Sequence, residues 1–243
     1  MRPSLRILSN LESLNSAIAE NMAESIRAGI EARGRFSMAL AGGQTPRALY
    51  MHLAAQFARN VPWSKVHLFW GDERYVPHDD VRSNYRLARE TLLDRIDLPA
   101  QNVYAMPTHF ADPDEAARSY ETTLKDFFSP DPPRFDLILL GMGPDGHTAS
   151  LFPGTPAVDE QARWVVAVRA PAEPPVRITL TVPAIRQAGA VYFLISGKDK
   201  AEMLRNVLTG AGAPTKYPAA VVLRSAPNAV CWTDEAAASL VRG

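Results

Sequence analysis

One segment of this chain decides its fold, because a short apolar run passes directly into a glycine-rich loop: Phe135-Asp136-Leu137-Ile138-Leu139-Leu140-Gly141-Met142-Gly143-Pro144-Asp145-Gly146-His147. An apolar run of this length with little alternation is typical of a strand covered on both faces of its sheet. The glycines that follow let the backbone come close to a ligand. A histidine at such a strand end is placed for proton transfer, since an unperturbed imidazole titrates near pH ~6.5.

The same kind of apolar run recurs along the chain. We predict buried strands at residues 36–40, 66–70, 135–140, 164–168 and 191–195. Helical periodicity occupies residues 11–33, 46–58, 83–96, 113–128 and 198–208. Residues 177–182 alternate, which predicts an edge or antiparallel strand. Strands that alternate with helices predict an α/β fold, with a mostly parallel sheet, helices on both faces and one domain over residues 1–243.

Charge and cysteine content restrict the function. Lys and Arg together number 26, as do Asp and Glu, so the formal net charge is zero and argues against a nucleic-acid or membrane-surface partner. Cys231 is the only cysteine and lies among apolar neighbours, which predicts a buried thiol rather than a disulfide. No signal-peptide pattern opens the chain and no run approaches ~18 apolar residues, so we expect a cytoplasmic protein.

A second glycine loop follows the first predicted strand, at the edge of the sheet where ligands bind in such folds. Gly42 and Gly43 allow a tight turn, and Thr45 can cap a helix whose first turn contains Pro46. Free N–H groups and the helix dipole there suit a phosphate. The loop does not have the Gly-Lys-Ser/Thr ending of a P-loop, so a nucleoside triphosphate is not expected.

Charged side chains follow other predicted strands, and each fits either a binding role or a solvated surface. Asp72, Glu73 and Arg74 come directly after the second strand, and Arg82 lies in the helical segment beyond it. Later, Arg177 begins an alternating run, and the turn Ser196-Gly197 leads to Lys198 and Lys200. The five histidines show no metal-ligand spacing.

Taken in order, these segments resemble the 6-phosphogluconolactonase family. The matching stretches are Gly42-Gly43-Gln44-Thr45-Pro46, Gly71-Asp72-Glu73-Arg74 with Arg82-Ser83-Asn84-Tyr85, Gly141 to Gly154, Arg177-Ile178-Thr179-Leu180-Thr181, and Ser196-Gly197 with Lys200-Ala201. One motif alone is weak evidence, whereas five in order are specific. Gln44 departs from the serine that is common in the family, so a hydroxyl contact to phosphate is replaced at most by the backbone N–H.

The resemblance implies a Rossmann-like fold shared with glucosamine-6-phosphate deaminases and ribose-5-phosphate isomerases. It implies hydrolysis of 6-phospho-D-glucono-1,5-lactone in the pentose phosphate pathway, with no cofactor or metal. It also places the catalytic histidine at His147 and its functional partners at Asp145 and Arg74. The phosphate contacts implied are Gly42, Gly43, Gln44 and Thr45, with Arg177 and Lys200.

Chemical reasoning adds alternatives that stay open at this point. His147 can take a proton from water, while either Asp145 or Asp72 orients its ring. Arg74 or loop N–H groups can stabilise the oxyanion, and Arg82 can reach the phosphate. A nucleophilic Ser150 is a weaker alternative, because no nucleophile elbow surrounds it.

Two other functions compete with the lactonase. In the related deaminases a glutamate precedes the Pro-Gly pair, whereas this chain has Phe152, which cannot exchange protons. A non-catalytic phosphosugar sensor is the other alternative, but the segment before residue 40 reads as one amphipathic helix rather than a DNA-binding unit. We expect a small phosphosugar lactone as the partner, and a monomer or weak homo-oligomer.

Overall fold

The computed structural model describes residues 4–210 and 217–241. In chain order its strands and α-helices are β1 (Ser4–Leu8), α1 (Leu11–Arg33), β2 (Phe36–Leu40), α2 (Gln44–Phe57), β3 (Val66–Trp70), β4 (Asp72–Arg74), α3 (Asn84–Thr91), α4 (Pro113–Phe128), β5 (Leu137–Leu140), β6 (Val165–Arg169), β7 (Val176–Leu180), α5 (Val182–Ile185), β8 (Val191–Ile195), α6 (Ala201–Thr209), α7 (Pro218–Ser225) and β9 (Ala229–Asp234). Within these ranges, no helix combines the length and apolar character needed to cross a bilayer.

Six parallel strands form the main sheet, in the order β1-β9-β8-β5-β2-β3. The inner strands β2, β5 and β8 are buried at every position, as expected where a sheet is covered on both faces. The predicted α/β fold with a mostly parallel sheet is therefore confirmed. Cys231, in β9, is buried as predicted, and burial raises the pKa of its thiol to about 12.

Local sequence determines where helix α1 begins and ends and which of its faces is buried. The side chain of Asn10 accepts a hydrogen bond from the Ser13 N–H and caps the first turn, while the Gly34 N–H donates to the Ile30 carbonyl at the other end. Buried residues recur at three- and four-residue steps and form one apolar stripe: Leu14, Ile18, Met22, Ile26 and Ile30. This helix was predicted with the same bounds, because both its caps and its stripe are local signals.

The order of the strands reverses between β2 and β5. From β2 the chain continues to β3 on one side, whereas β5, β8 and β9 follow one another on the other side. In open α/β sheets such a reversal leaves a crevice beyond the carboxyl ends of the two strands. The loops that follow β2 and β5 are the two glycine-rich loops, so both open into this crevice.

A second sheet of three antiparallel strands, β4-β7-β6, lies beside the first. Gly71 joins the two sheets, since its N–H donates to the Leu40 carbonyl in β2 and its carbonyl accepts from the Leu180 N–H in β7. The prediction of an antiparallel strand near 177–182 is confirmed, but β7 is the centre of this sheet rather than an edge. The predicted strand at 164–168 belongs here as β6, not to the parallel sheet.

Several element boundaries differ from the predictions. Helix α2 begins at Gln44 with Gly43 as its N-cap, and no side chain caps it, so the capping role predicted for Thr45 is wrong. The predicted helix at 83–96 divides into α3 and a 3-10 turn at Leu93–Arg95, and the helix predicted from 198 begins with a 3-10 turn at Lys198–Lys200. Strands β1, β4 and β9 and helices α5 and α7 were not predicted.

Candidate active site

A cavity of about 490 Å³ occupies the crevice beyond β2, β5, β8 and β3. Both glycine loops line it, together with side chains from β4, from the start of α3, from β7 and from the turn after β8. The predicted site residues that line it are Gly42, Gly43, Gln44, Thr45, Asp72, Arg74, His147, Arg177 and Lys200. Residues far apart in sequence therefore meet in one space of a size suited to a small polar ligand.

His147 lies at the rim of this cavity with its ring held on two sides. Its Nδ1 is 2.6 Å from Oδ1 of Asp145, and its ring stacks on Phe152 with centroids 4.3 Å apart. Because a carboxylate only accepts, Nδ1 carries the proton and the lone pair of a neutral ring lies on Nε2. The side chain is 28% exposed, so Nε2 can meet water or substrate.

Gly143 makes room for this histidine ring. A Cβ added at Gly143 would stand 2.1 Å from both Cε1 and Nδ1 of His147, far inside van der Waals contact. The backbone also closes the loop, since the Gly143 N–H donates to the His147 carbonyl and the Gly146 N–H donates to the Gly143 carbonyl. The glycine is thus required sterically, as the sequence pattern suggested.

The N-terminus of α2 points into the cavity without a capping side chain. The first N–H groups of a helix have no partner within the helix, and the helix dipole places partial positive charge there. This end of α2 therefore offers backbone donors to an anion.

Two guanidinium groups add positive charge to the cavity lining. Arg74 and Arg177 are directly paired across β4 and β7, so their side chains leave the same face of the small sheet. Arg177 is buried, its guanidinium donates, among the described residues, only to the carbonyls of Pro174 and Glu173, and burial lowers its pKa. The Nε of Arg74 is buried without a hydrogen-bond partner among the described residues. The buried guanidinium of Arg177 and the buried, unpaired Nε of Arg74 favour an anionic ligand.

Lys200 reaches the cavity from the turn after β8. Its Nζ lies 3.4 Å from Asp199, and its side chain is 23% exposed, whereas Lys198 is exposed and does not line the cavity. The turn itself is held by Asp234, whose carboxylate accepts hydrogen bonds from the Ser196 hydroxyl and the Gly197 N–H. The two lysines are therefore not equivalent, because only Lys200 lines the cavity.

Asp72 does not orient His147, which corrects one of the two alternatives. Its carboxylate accepts from the Ser150 hydroxyl at 2.6 Å and from the Asn84 amide at 3.2 Å. The carboxylate paired with the imidazole is Asp145 instead. Ser150 is fully buried by the same contact, so its hydroxyl is not presented as a nucleophile.

Arg82 does not line the cavity, so the predicted phosphate contact is not supported. Its guanidinium makes two hydrogen bonds to Asp80, at 2.9 and 2.6 Å, and its side chain is half-exposed. Only its carbonyl is turned towards the site, where it accepts from Nη1 of Arg74 at 2.5 Å.

The sequence patterns gave no separate role to two polar residues of the site, Glu73 and Asn84. Glu73 is buried beneath the cavity and accepts four hydrogen bonds, and Asn84 lines the cavity with a buried Oδ1 that has no partner among the described residues. Burial raises the pKa of Glu73 to about 7, against the opposing effect of its donors. No short-range signal links Glu73 to a helix that begins eleven residues later.

Across residues 4–210 and 217–241, no group of three or more His, Cys, Asp and Glu could hold a metal ion.

The fold and the cavity together define an α/β protein with a cavity at a strand-order reversal that suits a small anionic ligand, and with a histidine–carboxylate pair beside it. Comparison with known proteins makes the class specific. The model for the family of glucosamine-6-phosphate isomerases/6-phosphogluconolactonase matches residues 9–232. The chain belongs to this family.

Curated relatives narrow the similarity within the family. The chain is 45% identical over 227 residues to a protein of Mycobacterium tuberculosis named 6-phosphogluconolactonase, covering 90% of this chain and 91% of that one. It is 42% identical over 222 residues to a Synechocystis protein of the same name, covering 90% of each. The resemblance seen in the motifs is therefore confirmed.

Solved structures agree with this placement. A 6-phosphogluconolactonase from Trypanosoma brucei superposes with a TM-score of 0.86 at 32% identity, covering 98% of each chain. A monomeric glucosamine-6-phosphate deaminase has a TM-score of 0.84 at 22% identity, covering 98% of this chain and 99% of that one. The second likeness shows that the two enzyme types share the fold.

Proposed function

We propose that this chain hydrolyses 6-phospho-D-glucono-1,5-lactone to 6-phospho-D-gluconate, with His147 as the general base. The observation that carries the proposal is that the imidazole and the uncapped N-terminus of α2 face one cavity. A hexose phosphate fits this arrangement, with its phosphate at the helix end and its lactone carbonyl beside the ring. The names of the relatives support the same activity.

In the first step, Nε2 of His147 takes a proton from a water molecule, which attacks the lactone carbonyl. Asp145 favours this step because its hydrogen bond fixes the tautomer and stabilises the imidazolium that forms. The carbonyl carbon becomes tetrahedral, and its oxygen becomes an anion. The imidazolium then returns the proton to the ring oxygen as the C–O bond breaks, which yields the open-chain acid.

The oxyanion needs a donor that is in place before the reaction. The guanidinium of Arg74 and the backbone N–H groups of the glycine loops are the candidates that line the cavity. One such donor is typically worth about 10²–10³ in kcat. No cofactor or metal takes part in this proposal.

The phosphate acts as a remote handle that fixes the reacting carbon against the water. Its proposed donors are the N–H groups of Gly43, Gln44 and Thr45, with positive charge from Arg177 and Lys200. A dianion gains strongly from such groups because each charged hydrogen bond is shorter and stronger than a neutral one.

Phe152 argues against the deaminase activity found elsewhere in this fold. It is buried and stacks on His147, in the position where deaminases have a proton-exchanging glutamate. A phenyl ring at this place can orient the imidazole but cannot move a proton. That the protein works in the cytoplasm, as one domain and as a monomer or weak homo-oligomer, stays a prediction.

The activity is tested with the purified chain and freshly formed 6-phosphogluconolactone, after subtraction of spontaneous hydrolysis. We expect turnover of the lactone and no release of ammonia from glucosamine 6-phosphate. Ammonia release would assign the chain to the deaminases, and phosphosugar binding without any turnover would favour a sensor.

Lys200→Ala should raise KM about tenfold or more and change kcat little, because a charged hydrogen bond to the phosphate contributes about 1.5–3 kcal/mol. Steady-state kinetics of lactone hydrolysis measure the effect. Lys198→Ala is the matched control, since Lys198 is exposed and lies outside the cavity. Equal KM values for the two variants would remove Lys200 from the phosphate site.

A further inference from the structure

We propose that Glu73 is a positioning residue: its carboxylate closes the loop of residues 75–83 and so holds Asn84 and Arg74 against the cavity. Glu73 itself does not line the cavity and cannot touch the substrate. The inference rests on the proposed lactonase function, because its test measures lactone turnover.

The two ends of this loop meet on a single oxygen atom. Oε1 of Glu73 accepts the N–H of Arg74 and the N–H of Asn84, both at 2.7 Å. Oε2 accepts the Tyr85 N–H at 2.7 Å and the Ser83 hydroxyl at 3.0 Å. One buried carboxylate therefore joins the end of β4 to the start of α3.

Helix α3 depends on this carboxylate for its first N–H groups. Ser83 caps the helix by accepting from the Arg86 N–H, but it leaves the N–H groups of Asn84 and Tyr85 without a local acceptor. Glu73 supplies that acceptor from another element. The position of Asn84 is thus set by Glu73 rather than by the helix alone.

Asn84 in turn bridges β4 and the glycine loop between β2 and α2. Its Nδ2 donates to the carbonyl and the carboxylate of Asp72, at 2.9 and 3.2 Å. Its Oδ1 packs against Gly42 so closely that a Cβ added there would stand 1.9 Å from it. A shift at the start of α3 would therefore move the Asn84 amide, which separates Asp72 from the glycine loop between β2 and α2.

Arg74 is tied to the same loop a second time. Besides its N–H contact with Glu73, its Nη1 donates to the Arg82 carbonyl at the far end of the loop. When the loop is closed, the guanidinium is held where it lines the cavity. If the loop opened, both anchors of Arg74 would change together.

The test is Glu73→Gln, which keeps the shape of the side chain but replaces one acceptor oxygen with an amide nitrogen. The Tyr85 N–H then loses its acceptor, and the first turn of α3 has to shift. We expect kcat/KM for the lactone to fall about tenfold to a hundredfold, since small misplacements of a site are that costly. Thermal unfolding is recorded for each variant so that all rates are measured on folded protein.

Glu121→Gln is the matched control. Glu121 is also a buried glutamate that accepts a backbone N–H, that of Trp164, but it lies in α4 away from the cavity. We expect its kcat/KM to stay within about twofold of wild type, as for a conservative change at an independent site.

A double-mutant cycle with Asn84→Ala separates positioning from general loss of structure. Because Glu73 positions Arg74 as well as Asn84, Glu73→Gln should cost several-fold less in the Asn84→Ala background than in the wild-type chain. The proposal would be overturned if the losses in kcat/KM of the two single variants multiplied in the double variant. It would also be overturned if Glu73→Gln were as active as Glu121→Gln. Glu73→Asp, which withdraws the carboxylate by one methylene, enters the same cycle if Glu73→Gln does not fold. A wild-type chain without lactone turnover would contradict the proposed function instead.

Discussion

Replacing His147 with glutamine should lower kcat for lactone hydrolysis by about 10²–10⁴-fold, the usual contribution of a positioned general base. Glutamine can keep a hydrogen bond to Asp145 through its amide N–H, but it cannot take a proton from water. Because the His147 side chain is partly exposed, we expect little change in the free energy of unfolding. Steady-state kinetics with the spontaneous rate subtracted, together with thermal unfolding, measure both effects.

His109→Gln is the control for the histidine substitution. His109 is exposed and does not line the cavity, so its replacement should leave kcat and KM unchanged. Binding of 6-phosphogluconate should survive in His147→Gln, because the phosphate donors are elsewhere. A His147→Gln enzyme with a rate near that of wild type would exclude the imidazole as the base.

The second large effect should come from Gly143→Ala, a change that adds one methyl group and removes no ionisable atom. The new Cβ would overlap the imidazole at 2.1 Å, so the ring has to move by roughly 1 Å or more. A displacement of that size can cost about 10²-fold in kcat. We expect this loss with KM nearly unchanged, measured in the same assay.

Gly141→Ala is the matched control in the same loop. A Cβ at Gly141 meets no atom within 4 Å, and neither glycine has a positive φ that would make alanine strained. The two variants therefore differ in the clash with His147 and not in backbone conformation. Similar rates for both would show that the ring position is not critical.

Much of the parallel sheet was predictable from local patterns. Strands β2, β3 and β8 have the predicted bounds, because each is an apolar run that both faces of the sheet bury. Strands β1 and β4 were missed for different reasons: β1 is a partly exposed strand at the sheet edge, and β4 has only three residues. Short or exposed strands carry little periodicity, so only pairing with a neighbour defines them.

The candidate site, too, was predictable from the sequence only in part. Glycines and a histidine directly after a strand identified both cavity loops, since loops at the carboxyl ends of parallel strands meet at one edge. The choice between Asp145 and Asp72 was not accessible, because it depends on Ser150 and Asn84 occupying the Asp72 carboxylate. The position of the Arg82 guanidinium was not accessible either, because it depends on the hydrogen bonds to Asp80.

By itself, then, the sequence determined the fold class, the family and the two glycine-rich loops, one of which carries His147. The fold class and the loops follow from burial patterns and backbone requirements that act over a few neighbouring residues, whereas the family follows from the resemblance of five motifs in order. Only the tertiary structure decided which carboxylate meets the imidazole, which cations face the cavity and which buried glutamate closes the loop above it. These depend on hydrogen bonds and charge contacts between distant segments, which no local pattern encodes.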